Sequence, residues 1–332
     1  MSTVVALLIF LGSLALSVVS SNVLAELLDK IGNRYRLSEG LVGIITALGA
    51  DSPEIAAAVT AISAGSGALG VGIVLGSNLY NIAALLGLSA VVAGAVRIRR
   101  RALLLQGAVA LIVTAVGVAL VLHIIGPLFS IVVVVGVLAP YVALSSLPGR
   151  RLRAVLPASA VQRFVVAALA DQERDVRSGK TPPAATRTEM MTVIPVLASV
   201  VLSSVGLVKS AQNLGHQYGI SDVLIGTLVL AVLTGIPNTL ASVRLARRGR
   251  GSAVVSEALN SNSINVLIGL CLPALLVGFG TRSHTATLEA VWLLVTTVLA
   301  ITLTYFRGGL HRWEGAGVIA AYLAFVVVLL VA

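Results

Sequence analysis

Thr46-Ala47-Leu48-Gly49-Ala50-Asp51-Ser52-Pro53-Glu54 interrupts an apolar run at about 40–64 with a proline and side-chain oxygens, where a membrane helix ordinarily carries neither. It is followed by Gly76-Ser77-Asn78-Leu79-Tyr80-Asn81-Ile82. A shift of 184 residues brings Pro53 onto Pro237 within Leu233-Thr234-Gly235-Ile236-Pro237-Asn238, and Ser77-Asn78 onto Ser261-Asn262 within Asn260-Ser261-Asn262-Ser263-Ile264-Asn265-Val266. The chain therefore carries one polar, proline-interrupted pattern twice. An interrupted apolar segment in corresponding positions of two halves points to the ion site of a transporter.

The surroundings of these motifs are those of a membrane protein. Of the 332 residues, 58% are hydrophobic and 11% charged, against about 25% charged in a typical soluble domain. Crossing about 30 Å of hydrocarbon takes roughly 20 apolar residues in a helix. Ten such runs are present, at about 3–25, 40–64, 67–95, 103–124, 127–147, 190–213, 220–244, 252–279, 286–306 and 313–332. The first lacks the basic leader and cleavage site of a signal peptide and is read as a retained span. The polar stretch 148–189, with Pro182-Pro183 and a candidate amphipathic helix at 158–175, separates a first five-helix repeat, 1–147, from a second, 190–332.

The formal charge of +10 is explained by where the charges fall. Threading ten spans puts 21 of the 23 Lys and Arg in loops on one side, leaving Lys209 and Arg282 on the other. The positive-inside rule makes the crowded side cytoplasmic and both termini extracytoplasmic. Basic residues sorted in this way signal topology and meet anionic lipid, so the partners expected are the bilayer and inorganic cations, with no nucleic acid. The single cysteine, Cys271, lies in an apolar run and offers no disulfide or cysteine cluster. The oligomeric state is left open.

An odd number of spans per half makes the second half enter the membrane from the opposite side. The fold class is accordingly an all-α polytopic membrane protein, ten transmembrane helices as two inverted five-helix repeats. Leu37-Ser38-Glu39 and Ile220-Ser221-Asp222 extend the match at an offset of 183. Inverted repeats set equivalent segments face to face at the midplane. Pro53 and Pro237 are expected to break their helices and free carbonyls near 48–50 and 232–234. Asp51 and Glu54 share one helix face, as do Ser77 and Asn81, Thr234 and Asn238, and Ser261 and Asn265. All are hard oxygen donors, suited to sodium, calcium, magnesium or manganese.

These residues resemble the calcium/cation antiporter superfamily, which includes sodium/calcium and calcium/proton exchangers and whose repeats carry Gly-Thr-Ser-x-Pro-Glu and Gly-Asn-x-x-Gly-Ser-Asn-x-x-Asn. Gly49, Pro53, Glu54, Gly72, Gly76, Ser77, Asn78 and Asn81 match the first repeat; Thr234, Pro237, Ser261, Asn262 and Asn265 match the second. Three positions depart from the pattern. Asn238 replaces the second glutamate, Asp51 stands at a serine position, and Glu257 stands at an asparagine position, four residues before Ser261.

The resemblance implies a secondary active cation antiporter of a prokaryotic plasma membrane, not an enzyme and without a cofactor. Calcium would exchange for sodium ions or protons by alternating access. The implied cation-binding residues are Asp51, Glu54, Ser77, Asn81, Thr234, Asn238, Ser261 and Asn265, with Glu257 a further candidate. Adjacent Asp51 and Glu54 would titrate together, so protons compete with the cation. Loss of the second glutamate keeps monovalent sodium/proton exchange as an alternative, and a degenerate second repeat keeps a transport-inactive scaffold. An intramembrane aspartyl protease would need two aspartates in facing spans, and Asp51 is the only one in the interior of a span, Asp222 standing at the very start of the run 220–244. The chain has no phosphate-binding loop of the kind an ATP-driven pump uses.

Overall fold

A computed structural model describes residues 2–35, 39–147, 151–153, 157, 159–176, 184–278 and 283–331. Leu37, Ser38, Arg282 and the Pro182-Pro183 pair lie outside the described residues. The first half contains α1 (Thr3–Arg34), α2 (Glu39–Ala50), α3 (Ser52–Ser63), α4 (Gly67–Ala93), a short strand β1 (Ala95–Arg97), α5 (Arg100–Val121) and α6 (Pro127–Ser145). An interhelical segment, α7 (Ala160–Val176), follows. The second half contains α8 (Arg187–Tyr218), α9 (Asp222–Arg247), α10 (Gly251–Val277), α11 (His284–Arg307), strand β2 (Gly309–His311) and α12 (Arg312–Val331).

Nine of these helices are long and apolar enough to cross a membrane among the described residues. The tenth crossing is α2 followed by α3, twelve residues each, interrupted at Asp51. Large apolar side chains such as Leu8, Val132, Ile194, Leu202 and Val327 face outward, a surface that lipid satisfies and water would not. Polar connections and capping residues gather at the two ends of the bundle. β1 pairs antiparallel with β2 (Ala95 opposite His311, Arg97 opposite Gly309), tying the connection after α4 to the one after α11. Arg99 bridges to Asp171 of α7 at 3.2 Å, and Arg34 donates to the Ala185 carbonyl, so the arginine-rich connections share one face. At the opposite face Gln212 donates to Ser66 at 2.6 Å.

Between lipid-facing helices there is no hydrophobic drive to associate, so close backbone approach must come from small residues. It is tightest where α4 of one half crosses α9 of the other. A Cβ added to Gly76 would lie 2.6 Å from the Thr227 Cα, and one on Gly226 would lie 2.5 Å from the Leu69 carbonyl. α4 is buried nearly throughout, while α1, α6 and α12 present most of their surface outward. The molecule's core is thus α3, α4, α9 and α10.

The two prolines behave differently from one another. Pro53 sits in the first turn of α3, just past the interruption at Asp51. Pro237, expected to break its helix, does not: the helix runs continuously from Ala231 to Arg247. Proline removes one donor and crowds the turn before it, and neighbouring hydroxyls and local π adjustment can absorb that in a membrane helix. Here a π-helical stretch, Ile225–Leu230, precedes the proline, and Thr234 and Thr239 donate to the Leu230 and Gly235 carbonyls at 2.7 and 3.0 Å. Around Pro53 the freed carbonyl is not left for an ion. The Ser52 hydroxyl donates to the Gly49 carbonyl at 2.7 Å.

Candidate functional site

The interruption at Asp51 and the short step to Glu54 bring both carboxylates to the place where α3 meets α9 and α10. Asn238 donates to Asp51 Oδ1 at 2.8 Å, and Asn265 donates to Glu54 Oε2 at 3.0 Å. Each acid of the first half is therefore held by an amide of the second. The asparagines form a reciprocal network. Asn78 donates to the Asn262 carbonyl at 3.2 Å and Asn262 returns a bond to the Asn78 carbonyl at 3.0 Å. Asn81 donates to Asn262 Oδ1 at 3.2 Å, and Asn265 donates to Asn78 Oδ1 at 3.2 Å. These are pairs of repeat-related positions bonded in both directions, as a two-fold relation between inverted halves requires.

The asparagine nitrogens are spent on this network and on the two acids, which leaves oxygens over. No amide donor reaches Asp51 Oδ2, Glu54 Oε1, Asn81 Oδ1 or Asn265 Oδ1, all of them buried, and the Ser261 and Ser77 hydroxyls lie beside Asp51 and Glu54. Burying such a group unpaired costs about 1–3 kcal/mol, and more when it is charged. Four such acceptors, with two hydroxyl oxygens beside the acids, demand a ligand that is electron-poor. No Lys, Arg or His forms an ion pair with Asp51 or Glu54 among the described residues. A proton or a cation must then offset the carboxylate charge. Six hard oxygens fit a calcium-like or sodium-like ion, and calcium takes six to eight. No group of three or more His, Cys, Asp or Glu is found among the described residues, so amide and hydroxyl oxygens have to supply most of any shell.

Seven of the residues expected from the sequence come together: Asp51, Glu54, Ser77, Asn81, Asn238, Ser261 and Asn265, each at most 3% exposed. Thr234 is buried beside them but turns its hydroxyl proton back to its own helix. Among the described residues Glu257 is not bonded into the cluster, though Asp51 is near enough to act on its charge. Its carboxylate accepts from Ser242 at 2.7 Å.

The sequence reading passed over three contributors. Asn78 and Asn262 appear in both motif copies and could have been found by asking which polar positions survive in each. Gly235 aligns with Asp51, and a Cβ there would lie 2.8 Å from the Tyr80 ring and 3.4 Å from Glu54 Oε1. The absence of a side chain lets α9 close over the glutamate. Only contact geometry could show that.

The site is thus a pair of buried carboxylates at the junction of two inverted repeats in a helical bundle. The comparisons give the family. The model of the sodium/calcium exchanger protein family matches residues 5–147 and 189–331, and the chain belongs to that family. It is 28% identical over 129 residues to sodium/potassium/calcium exchanger 4 of Mus musculus, a match covering 38% of this chain and 21% of that one. It is 26% identical over 141 residues to the sodium/calcium exchanger MaX1 of Methanosarcina acetivorans, covering 42% of this chain and 40% of that one. The chain thus spans less than half the length of these curated relatives. Among solved structures, the H+/Ca2+ exchanger CAX superposes with a TM-score of 0.72 at 17% identity, over 97% of this chain and 82% of that one, which establishes a shared fold.

Proposed function

We propose that the protein is a secondary active cation antiporter that exchanges calcium, or a closely related cation, for sodium ions or protons by alternating access. The observation that carries this is the set of six buried oxygens around Asp51 and Glu54, with no ion pair from a basic side chain to neutralise them among the described residues. The names of the relatives, which include sodium/calcium and H+/Ca2+ exchangers, support the same class of substrate.

Glu54 Oε1 and Asp51 Oδ2 supply the charge. Ser77, Asn81, Ser261 and Asn265 supply neutral oxygens, and Asn238 fixes the orientation of Asp51. Cation binding requires both carboxylates to be deprotonated, so protons compete with the ion and apparent affinity falls as pH falls. α1 and α8, the first helix of each half, pack along one another and against α2 and α3. Movement of that pair over the core would open the site to one face and then the other. By charge, the arginine-rich face is the cytoplasmic one.

Asn238 also favours a second reading, monovalent sodium/proton exchange. Its amide cannot ionise and it occupies one oxygen of Asp51. Radiocalcium and radiosodium uptake into proteoliposomes under imposed sodium and pH gradients separates the two. Calcium uptake driven by either gradient and abolished in Glu54→Gln supports the first reading; sodium uptake driven by pH alone supports the second. If no cation flux depends on Glu54, the proposal is wrong.

A further inference from the structure

A third carboxylate lies wholly inside the molecule and away from the cation cluster. Glu289, in the second turn of α11, is 0% exposed. Its Oε1 lies 2.5 Å from the Thr227 hydroxyl, and its Oε2 is buried without a partner. The same hydroxyl lies 3.3 Å from the Gly72 carbonyl of α4. Three helices therefore meet through one polar chain, at the tight crossing where Gly72 and Gly76 admit Thr227.

The proton count of that chain depends on Glu289. Thr227 has one hydrogen to give. If Glu289 is ionised, the hydroxyl must point to it, and the Gly72 carbonyl keeps only the N–H of its own helix. If Glu289 carries a proton on Oε1, it donates to Thr227, and Thr227 is free to donate to Gly72. Protonation thus satisfies the chain and ties α11, α9 and α4 together. A bare cation would find only four oxygens here, two of Glu289 and one each of Thr227 and Gly72, too few to replace its water.

No described residue forms an ion pair with Glu289. The elements packed around it are α4, α5, α9 and α12, with α8 against the π segment of α9. Their titratable groups include Tyr80, Tyr322, Lys209, Arg100 and Asp222, with His284 at the start of its own helix; none is bonded to Glu289, whose one hydrogen-bond partner among the described residues is Thr227. An unpaired carboxylate at such depth is costly, and a proton removes the cost.

The repeat relation shows what is special here. At the 183-residue offset, Leu105-Gln106 falls on Leu288-Glu289 and Thr114 on Thr297. Gln106 is 2% exposed, in the second turn of α5, and accepts from Ser256 of α10 at 2.9 Å. Ser256 is itself the repeat counterpart of Gly72, 184 residues on. Each half thus has a polar side chain at the same crossing, one toward the arginine-rich face and one toward the opposite face. Only the latter can titrate.

We propose that Glu289 is a proton-binding site distinct from the transport site, loaded from the face opposite the arginine-rich connections, and that its proton locks the α4–α9 crossing in the state described. It rests on the exchanger reading only for its transport readout. Infrared pH-difference spectra of the purified protein supply a readout that needs no transport. The wild type is expected to show a protonated-carboxyl band that is lost in Glu289→Gln and kept in Asp51→Asn and in Thr227→Val. In flux measurements, the wild-type rate should change with alkalinity by up to about tenfold per pH unit where one proton controls it. Glu289→Gln should lose that alkaline limb and keep the acid limb set by Asp51 and Glu54, while Thr227→Val should displace the alkaline limb. A wild-type spectrum without the band overturns the proposal even if Glu289→Gln fails to fold, as does a Glu289→Gln protein with an unchanged alkaline limb. Absence of flux in every protein with the band intact would count against the exchanger reading and leave the proton site standing.

Discussion

The two repeats meet as equals at their asparagines and as unequals at their acids. Asn78 and Asn262, and Asn81 and Asn265, form bonds that interchange when the halves are exchanged. Glu54 and its counterpart Asn238 do not. Glu54 accepts from Asn265, whereas Asn238 turns to Asp51, an acid that has Gly235 as its own counterpart. Both carboxylates of the cluster therefore come from the first half, and the second half contributes the amides that aim them. The scaffold needs symmetry to pack two inverted halves, but the cation needs only enough oxygens and charge, whichever half provides them. Helix geometry follows the same division. The π-helical stretches after Asn81 (Ile82–Leu88) and from Asn265 (Asn265–Cys271) are repeat-related, while the one before Thr234 has no partner in α2.

Removing the charge from Glu54 should have the largest effect on this asymmetric arrangement. Losing a buried charged partner costs roughly 2–5 kcal/mol, and 1.4 kcal/mol is tenfold, so Glu54→Gln should weaken cation binding by about thirtyfold or more. Isothermal titration checks it, and Glu54→Gln with near-wild-type affinity would dissolve the comparison.

Restoring a glutamate to the second half is the next test. Asn238→Glu alone puts a carboxylate beside Asp51 where the asparagine donated at 2.8 Å, and should lower the melting temperature in cation-free buffer, with recovery on adding a divalent ion. Combining it with Asp51→Ser should restore stability without ion and keep divalent binding, since the charge is then spread over both halves. Equal melting temperatures for the single and double variants would show that Asp51 and Asn238 are not coupled.

A smaller effect is expected at the prolines. Ser52→Ala uncovers the Gly49 carbonyl that Pro53 leaves without a donor, a loss of about 1–3 kcal/mol by thermal or chaotrope unfolding in detergent. The repeat counterpart, Ile236→Ser, should change stability less, because that helix already runs intact through Pro237. The smallest effect belongs to Glu257→Gln. Its carboxylate is engaged with Ser242, so cation affinity should stay near that of the wild type.

Much of this was legible in the sequence. The polar interruptions repeated at one spacing gave the halves, the odd span count gave their inversion, and the motif oxygens gave seven of the cluster's residues. The misjudged points were matters of local accommodation. A proline announces a missing donor, but whether the helix breaks depends on hydroxyls such as Thr234, Thr239 and Ser52, whose rotamers the sequence does not specify. Glu257 shares a helix face with Ser261, yet helical phase alone did not reveal that Ser242 would hold it. Glu289 was passed over because its span has no proline and no polar motif. Its signal was the alignment of Gln106 with Glu289, visible only when the repeat is extended to the flanking helices.

The most direct test is to locate the ion. Anomalous diffraction from crystals of the protein soaked in strontium or calcium should place a cation against Glu54 Oε1 and Asp51 Oδ2, with Asn81, Asn265, Ser77 or Ser261 completing its shell. Cation density elsewhere, or none at saturating concentration with the two carboxylates still bonded only to Asn238 and Asn265, would contradict the account.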